Sequence, residues 1–227
     1  MPKQIHKIGK INWLNFLRYN FCSSQIKRDK GCYLIPYRNA VIDLSKNCKV
    51  YIKGNNIHLG THKLRGSHTE TFLRMEGNSI WNSNNGATIC YGSTIELKNG
   101  SVLTTGYMFM NTGSVIICSK KIEVGNDVWI GRNNTIYDND HHQLLDKDGN
   151  VKNKIEEVLI GDNVWITNHV SILKGVKVGN GVVIGPYSVI RKNISDYQMV
   201  GSNNEIFIFS EDICWSPELV KLDISII

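Results

Sequence analysis

Long apolar runs are missing from this chain. No part of its 227 residues approaches the ~20 consecutive apolar positions that a membrane-spanning helix needs, and the N-terminus lacks the apolar core of a secretory signal. Proline is scarce, at 4 residues against 20 glycines, a balance that fits turn-rich repeats better than disorder. The six cysteines (Cys22, Cys32, Cys48, Cys90, Cys118 and Cys214) are scattered, with no CxxC pair. That disfavours a disulfide framework, a zinc ribbon or a dithiol redox centre, and reduced structural thiols in a cytoplasmic protein are expected. The length allows one large domain, or one domain with an appendage.

Acidic residues are nearly absent from the first 30 positions. Asp29 stands alone against Lys3, Lys7, Lys10, Arg18, Lys27, Arg28 and Lys30, so this segment carries the whole net charge of +6. Ile11, Trp13, Leu14, Phe16, Leu17 and Phe21 give it a short helix with an apolar side. Such a helix could touch an anionic membrane surface weakly, peripheral at its inner face. The preferred expectation is a cap that covers the exposed edge of whatever follows. Nucleic-acid binding is not expected, because no aromatic-interleaved basic surface or recognised module accompanies the charge.

What the sequence does have is a rhythm. β-Branched residues return every six positions at Val124, Ile130, Ile136, then Ile160, Ile166, Ile172, Val178, Ile184 and Ile190. Glycine follows several of them, and small or β-branched residues recur four places on, as at Val128, Val164, Val170, Val176, Val182 and Ser188. A six-residue period suits neither an amphipathic helix nor a simple alternating strand. It suits stacked coils of short strands and sharp corners, with the aliphatic residue inward and glycine at the turn. The expected organisation is a non-repetitive, partly helical lead over 1–40, a β-solenoid over 41–194 whose early coils are irregular, and a tail over 195–227. A short helix is expected near Ser216–Leu219, where Ser-Pro-Glu resembles a helix start.

The interruption between Ile136 and Ile160 is the candidate functional feature. A polar loop over 137–157 departs from an otherwise strict solenoid, and it brings His141 and His142 beside Asp138, Asp140 and Asp146. Histidine is the usual general base near neutral pH, and a neighbouring carboxylate can hold its tautomer. A solvated loop with incidental histidines is the alternative.

The segments 124–131 (VGNDVWIG), 138–142 (DNDHH), 160–166 (IGDNVWI), 172–179 (ILKGVKVG) and 183–190 (VIGPYSVI) resemble the hexapeptide-repeat acyltransferases, and most of all the sugar O-acetyltransferases that modify bacterial surface polysaccharides. The resemblance implies an all-β fold, a left-handed parallel β-helix, assembled as a homotrimer with sites between subunits. It implies a transferase moving acetyl from acetyl-CoA to a sugar hydroxyl in polysaccharide biosynthesis, with no metal. One catalytic histidine is implied on the protruding loop. The Asp-x-Asp-x-His-x-Ile-x-Asp pattern of polysaccharide-modifying relatives lands on Asp138, Asp140, His142, Leu144 and Asp146, favouring His142 as base. Galactoside-type relatives, aligned without gaps from Val124, put it on His141 instead.

Asp140 would orient the base, and Asn111 and Asp138 would meet the acceptor, although a turn asparagine explains Asn111 equally. Acetyl-CoA contacts carry over to Trp165, Asn168, Gly185, Pro186, Arg191 and Lys192. The chain departs from the family after the last coil, where residues 201–205 read GSNNE and put Glu205 at a usually basic place. Acetyl transfer to an amino-sugar nitrogen and a non-catalytic scaffold remain open alternatives. A zinc site like that of solenoid carbonic anhydrases is disfavoured, because adjacent His141 and His142 cannot readily ligate one ion together with His169.

Overall fold

Short strands of alternating burial wind into three parallel sheets. A computed structural model describes residues 10–203 and 205–211; Cys214 and the expected helix at Ser216–Leu219 lie outside the described residues. The first sheet has 7 strands, from Ile26–Arg28 to Lys177–Val178. The second has 9, from Leu34–Pro36 to Glu205–Ser210, and the third 7, from Ala40–Leu44 to Val189–Ile190. As far as Val189–Ile190 the chain visits the three sheets in strict rotation, and each strand pairs in parallel with the one a full coil later. This is the expected left-handed parallel β-helix.

The repeat acts through packing. Val124, Ile130, Ile136, Ile160, Ile166, Ile172, Val178, Ile184 and Ile190 are all at most 4% exposed and form one continuous core. Each inward aliphatic side chain, with its stack neighbours, removes apolar area worth roughly 1.5–3 kcal/mol from water. The corners work differently from expectation. The left-handed backbone falls on Asp127, Asn163, His169 and Tyr187, with φ between 55 and 60 degrees, as well as on Gly175 and Gly181, while Gly125, which directly follows a core valine, is not in that region. Glycine is needed there for close approach, since a Cβ on Gly125 would lie 2.5 Å from the Gly161 carbonyl oxygen of the next coil. The following Asn or Asp ties the coils together. Asp162 Oδ1 accepts the Asn126 N–H, Asn180 Oδ1 the Asp162 N–H, and Asp196 Oδ1 the Asn180 N–H.

Two expected boundaries move. Strands begin at Ile26, not after residue 40, with Ile26, Leu34 and Ala40 already inward. Early strands such as Lys49–Ile52 and Val102–Thr105 bury two residues each, so their sides are longer than six residues and the period is lost. At the other end the supposed tail continues the second sheet. Met199–Asn203 pairs in parallel with Val183–Ile184, and Glu205–Ser210 folds back on it antiparallel.

The basic lead sits on the first coil. Trp13–Leu17 is one α-helical turn followed by a π-helical turn at Arg18–Cys22. Tyr19 is buried and its hydroxyl donates to the Ile42 carbonyl, while Asn20 bonds both the N–H and the carbonyl of Leu34. Trp13 is 49% exposed, and Leu14, Leu17 and Phe21 also face outward, so the apolar side of the lead is only partly covered. Tyr19 is covered because the π-turn points that side chain at the coil.

Candidate active site

The polar loop leaves the third sheet after Thr135–Tyr137 and rejoins the first at Val158–Ile160. Its first residue, Asp138, is not part of the accessible surface. It shares the inward parity of Ile136, is 0% exposed, and accepts the backbone N–H groups of Ser119, Lys120 and Lys121 at 2.7, 2.7 and 2.8 Å. The expectation that Asp138 meets an acceptor is therefore corrected: its carboxylate closes the corner of the preceding coil. Burial, then the Asp138 charge, pushes the adjacent Cys118 thiol up to about 12, which keeps it an inert thiol.

Beyond Asp138 the chain makes a tight turn. The His142 N–H donates to the Asp140 carbonyl at 2.8 Å, with His141 at φ 65 degrees in the middle, a γ-turn of the rare positive-φ form. Such a turn persists only where its surroundings hold it. Asn153 Nδ2 donates both to the His142 carbonyl and to Asp140 Oδ2 at 2.8 Å, and its Oδ1 accepts the Leu144 N–H. Lys174, on the corresponding corner of the next coil, ion-pairs with Asp140. That ammonium first, and Asn153 second, hold the Asp140 carboxyl below the usual carboxylate range. The expected orienting role of Asp140 on a histidine ring is not what the geometry shows; Asp140 braces the turn. The backbone of His142 is thus fixed at both its N–H and its carbonyl. Both imidazoles are exposed and neither accepts or donates a hydrogen bond among the described residues.

The tip is a small hairpin. Leu145 bridges Val151, and Asp146 Oδ1 accepts the N–H groups of Asp148 and Asn150. Leu144, Leu145 and Val151 are more than half exposed on it.

The remaining expected residues fall on two edges of the helix. Arg191 and Lys192 lie at the corner between third and first sheets, the edge of the histidine loop, exposed and without an ion pair among the described residues. Asn111, Asn168 and Pro186 lie at the corner between second and third sheets. Asn111 Oδ1 accepts the Thr112 N–H and Asn168 Oδ1 the Arg132 N–H, so both carbonyls serve turns. Gly185 is buried on the same edge, with its N–H bonded to the Val200 carbonyl. Trp165 faces outward on the second sheet in register with Trp129. One chain therefore does not bring Asn111 and Asn168 together with the histidines.

Sequence reasoning missed three features. Lys174 and Asn153 brace the loop, and His169 and Tyr187 stack in parallel at 4.7 Å on the edge that carries Asn168 and Pro186. Lys174 lies within the repeat like any solvated corner lysine, and nothing in the spacing ties it to a residue in the loop.

Comparison with known proteins agrees with the architecture. Residues 157–192 match the bacterial transferase hexapeptide (six repeats) family model. The Bacillus subtilis (strain 168) protein YvoF, an acetyltransferase by name, is 32% identical over 122 residues, covering 54% of this chain and 65% of its own. Galactoside O-acetyltransferase of Escherichia coli (strain K12) is 32% identical over 106 residues, covering 46% and 48% respectively. The chain thus spans less than two thirds of the length of these relatives. The crystal structure of the polySia-specific acetyltransferase NeuO superposes with a TM-score of 0.52 at 21% identity, over 85% of this chain and 88% of that one. The six-residue core period, the three-sheet coil and the matched repeats identify the fold as a hexapeptide-repeat left-handed β-helix, similar to that of acetyltransferases.

Proposed function

We propose that the protein is an acetyl-CoA-dependent O-acetyltransferase acting on a sugar hydroxyl, within a surface polysaccharide or its precursor. The observation that carries this reading is the braced turn at Asp140–His142. It holds one exposed histidine by its backbone on a rigid coil, which is the pre-organisation a general base requires. The acetyltransferase names of YvoF and of the galactoside enzyme support the same reaction class.

On this reading His142 takes the proton of the sugar hydroxyl as the oxygen attacks the thioester carbonyl. The C–S bond breaks, acetyl passes to the sugar oxygen, and CoA leaves as thiolate that takes up the proton. No thiol of the protein takes part, in keeping with the buried and raised Cys90 and Cys118. Arg191 and Lys192 suit the phosphates of CoA, and Trp165, Asn168 and Pro186 line the other edge of the donor site. Because those groups occupy two edges in one chain, a complete site needs a neighbouring copy, and the enzyme works as a homotrimer. The exposed leucines of the loop hairpin give such a neighbour an apolar surface to bury. The location is cytoplasmic, where acetyl-CoA is made, with the charge of residues 1–30 suited to weak contact with an anionic membrane surface.

The test is acetyl transfer from acetyl-CoA to a panel of oligosaccharides and nucleotide sugars, read by mass spectrometry. His142→Ala should lower kcat at least about 100-fold with acetyl-CoA affinity nearly unchanged. Equal activity of the variant, or loss on His141→Ala alone, overturns the assignment of the base. A product stable to mild alkali would show an amide, and with it an amino-sugar N-acetyltransferase. No acetyl-CoA binding by calorimetry would leave a non-catalytic scaffold.

A further inference from the structure

A second loop leaves the solenoid at the corner between the second and third sheets, on an earlier coil than the histidine loop. Between the strands Ile57–Thr61 and Thr71–Met75 the chain swings out and encloses, with the corner at Tyr37–Arg38, a cavity of about 550 Å³. Its lining carries Lys10, Arg38, Lys63 and Arg65, and no carboxylate. The four come from three separate stretches of sequence. An antiparallel bridge between Ile11 and Tyr37, with the Arg38 N–H donating to the Lys10 carbonyl at 2.9 Å, sets Lys10 beside Arg38. Lys63 Nζ donates to Asn39 Oδ1 at 2.8 Å, which turns its ammonium back toward the same corner.

None of the four forms an ion pair among the described residues. By contrast Arg74, Lys98, Lys121 and Lys174 are all paired with carboxylates. Like charges gathered in a concavity repel one another and concentrate an anionic partner there. Two guanidinium groups offer the fork that matches a carboxylate or phosphate, and the volume suits a small ring rather than a bare ion. The apolar part of the wall comes from Leu64 and from Tyr37, which is buried with its hydroxyl 3.4 Å from His58 Nδ1.

We propose that this basic cavity is a docking site for oxyanion-bearing sugar units, carboxylated or phosphorylated, of the glycan on which the enzyme acts. That the bound glycan is the substrate of the enzyme rests on the sugar-acetylation reading; the binding itself does not. Such a site lets a polymeric acceptor be held at one sugar while another is presented for transfer, which raises effective concentration without adding a catalytic contact.

The test is calorimetry on the full chain without acetyl-CoA, using oligogalacturonate, neutral maltohexaose and inorganic phosphate as probes. Oligogalacturonate should bind, more weakly as salt rises, and maltohexaose should not. In the Arg38→Ala/Arg65→Ala variant that binding should weaken at least about tenfold, with acetyl-CoA affinity unchanged. Phosphate alone binding as tightly as the oligosaccharide would place the oxyanion, not the sugar chain, as the whole ligand, and overturn the docking role. No binding of any probe, or equal binding by the variant, overturns the proposal. So does a loss of acetyl-CoA affinity, which would assign the cavity to the donor. Oligosaccharide binding without acetyl transfer would sink the enzymatic reading and leave the site standing; transfer unaffected by the double variant would do the reverse.

Discussion

Asp138 distinguishes a scaffold carboxylate from a substrate contact, and removing it has a magnitude that follows from the coordinates. The side chain is fully buried and supplies the acceptor for three amide N–H groups at 2.7–2.8 Å. Asp138→Ala strands all three at the corner that starts the strand Lys121–Val124. Each unsatisfied buried donor costs about 1–3 kcal/mol, and water entering the vacated space recovers part of it, so a loss of roughly 3–5 kcal/mol is expected. For a chain of this size each kcal/mol moves Tm by about 2–4 °C, which gives a fall of roughly 6–20 °C. Asp138→Asn should lose nearly as much, because its amide nitrogen must face at least one of the same donors. Circular dichroism melts of both variants measure this, and calorimetry below the new midpoint should find acetyl-CoA affinity unchanged. A Tm within about 2 °C of the wild type, with a raised KM for the sugar, would show that Asp138 faces substrate and that the buried-carboxylate argument is wrong.

Lys174→Met should lower kcat about tenfold through a loosened histidine turn while leaving acetyl-CoA affinity and Tm nearly unchanged, and Lys174→Arg should restore much of it; a large fall in Tm would mark Lys174 as structural instead. The pH dependence of the brace has a definite sign. Asp140 titrates below its unfolded value, so its contact with Lys174 is fully present above about pH 4 and is lost only as pH falls through the lower folded value. Hydrogen-exchange protection of the His142 amide should therefore be constant from about pH 5 upward, and early loss near pH 5 would contradict the brace. Light scattering should give three times the chain mass of 25.7 kDa, and a catalytically active monomer would remove the shared-site argument.

The fold was legible where one side of the coil is six residues long, and faded where it is not. From Val124 to Ile190 an inward aliphatic residue recurs at every sixth position of each uninterrupted run, and strands such as Trp165–Ile166, Ser171–Ile172 and Lys177–Val178 contribute just that one, so the spacing of buried side chains and the spacing in sequence coincide. Upstream, strands such as Ala40–Leu44 and Thr94–Leu97 have more residues per side, and Trp81 or Met108 fills the inward place that isoleucine takes later. Alternation within each strand survives, but a six-residue search does not see it, and for that reason the solenoid seemed to start near residue 41 when its first strand is Ile26–Arg28. The cap was legible in outline from its apolar residues. Which of them is buried depends on the π-turn at Arg18–Cys22, a backbone feature that composition does not encode.

The site was legible as a loop and only partly as residues, because a motif records residue types and spacing while chemistry depends on which way each side chain points. Asp138 and Asp140 look equivalent in the Asp-x-Asp pattern, yet the first is spent on three backbone amides and the second on Lys174 and Asn153. The first could have been anticipated. Ile136 is inward, side chains two apart in an extended segment share a face, and Asp138 therefore begins the loop on the core side. The second could not, since Lys174 lies 34 residues away and reaches Asp140 only because the next coil stacks its corner under the loop. The same reasoning bears on the choice between histidines. His141 occupies the middle of the γ-turn and His142 its end, where Asn153 and the Asp140 carbonyl fix the backbone on both sides. Adjacent residues of one type thus acquire different mechanical status from a turn that neither of them specifies, and the proposed function assigns the base to the one whose backbone is fixed.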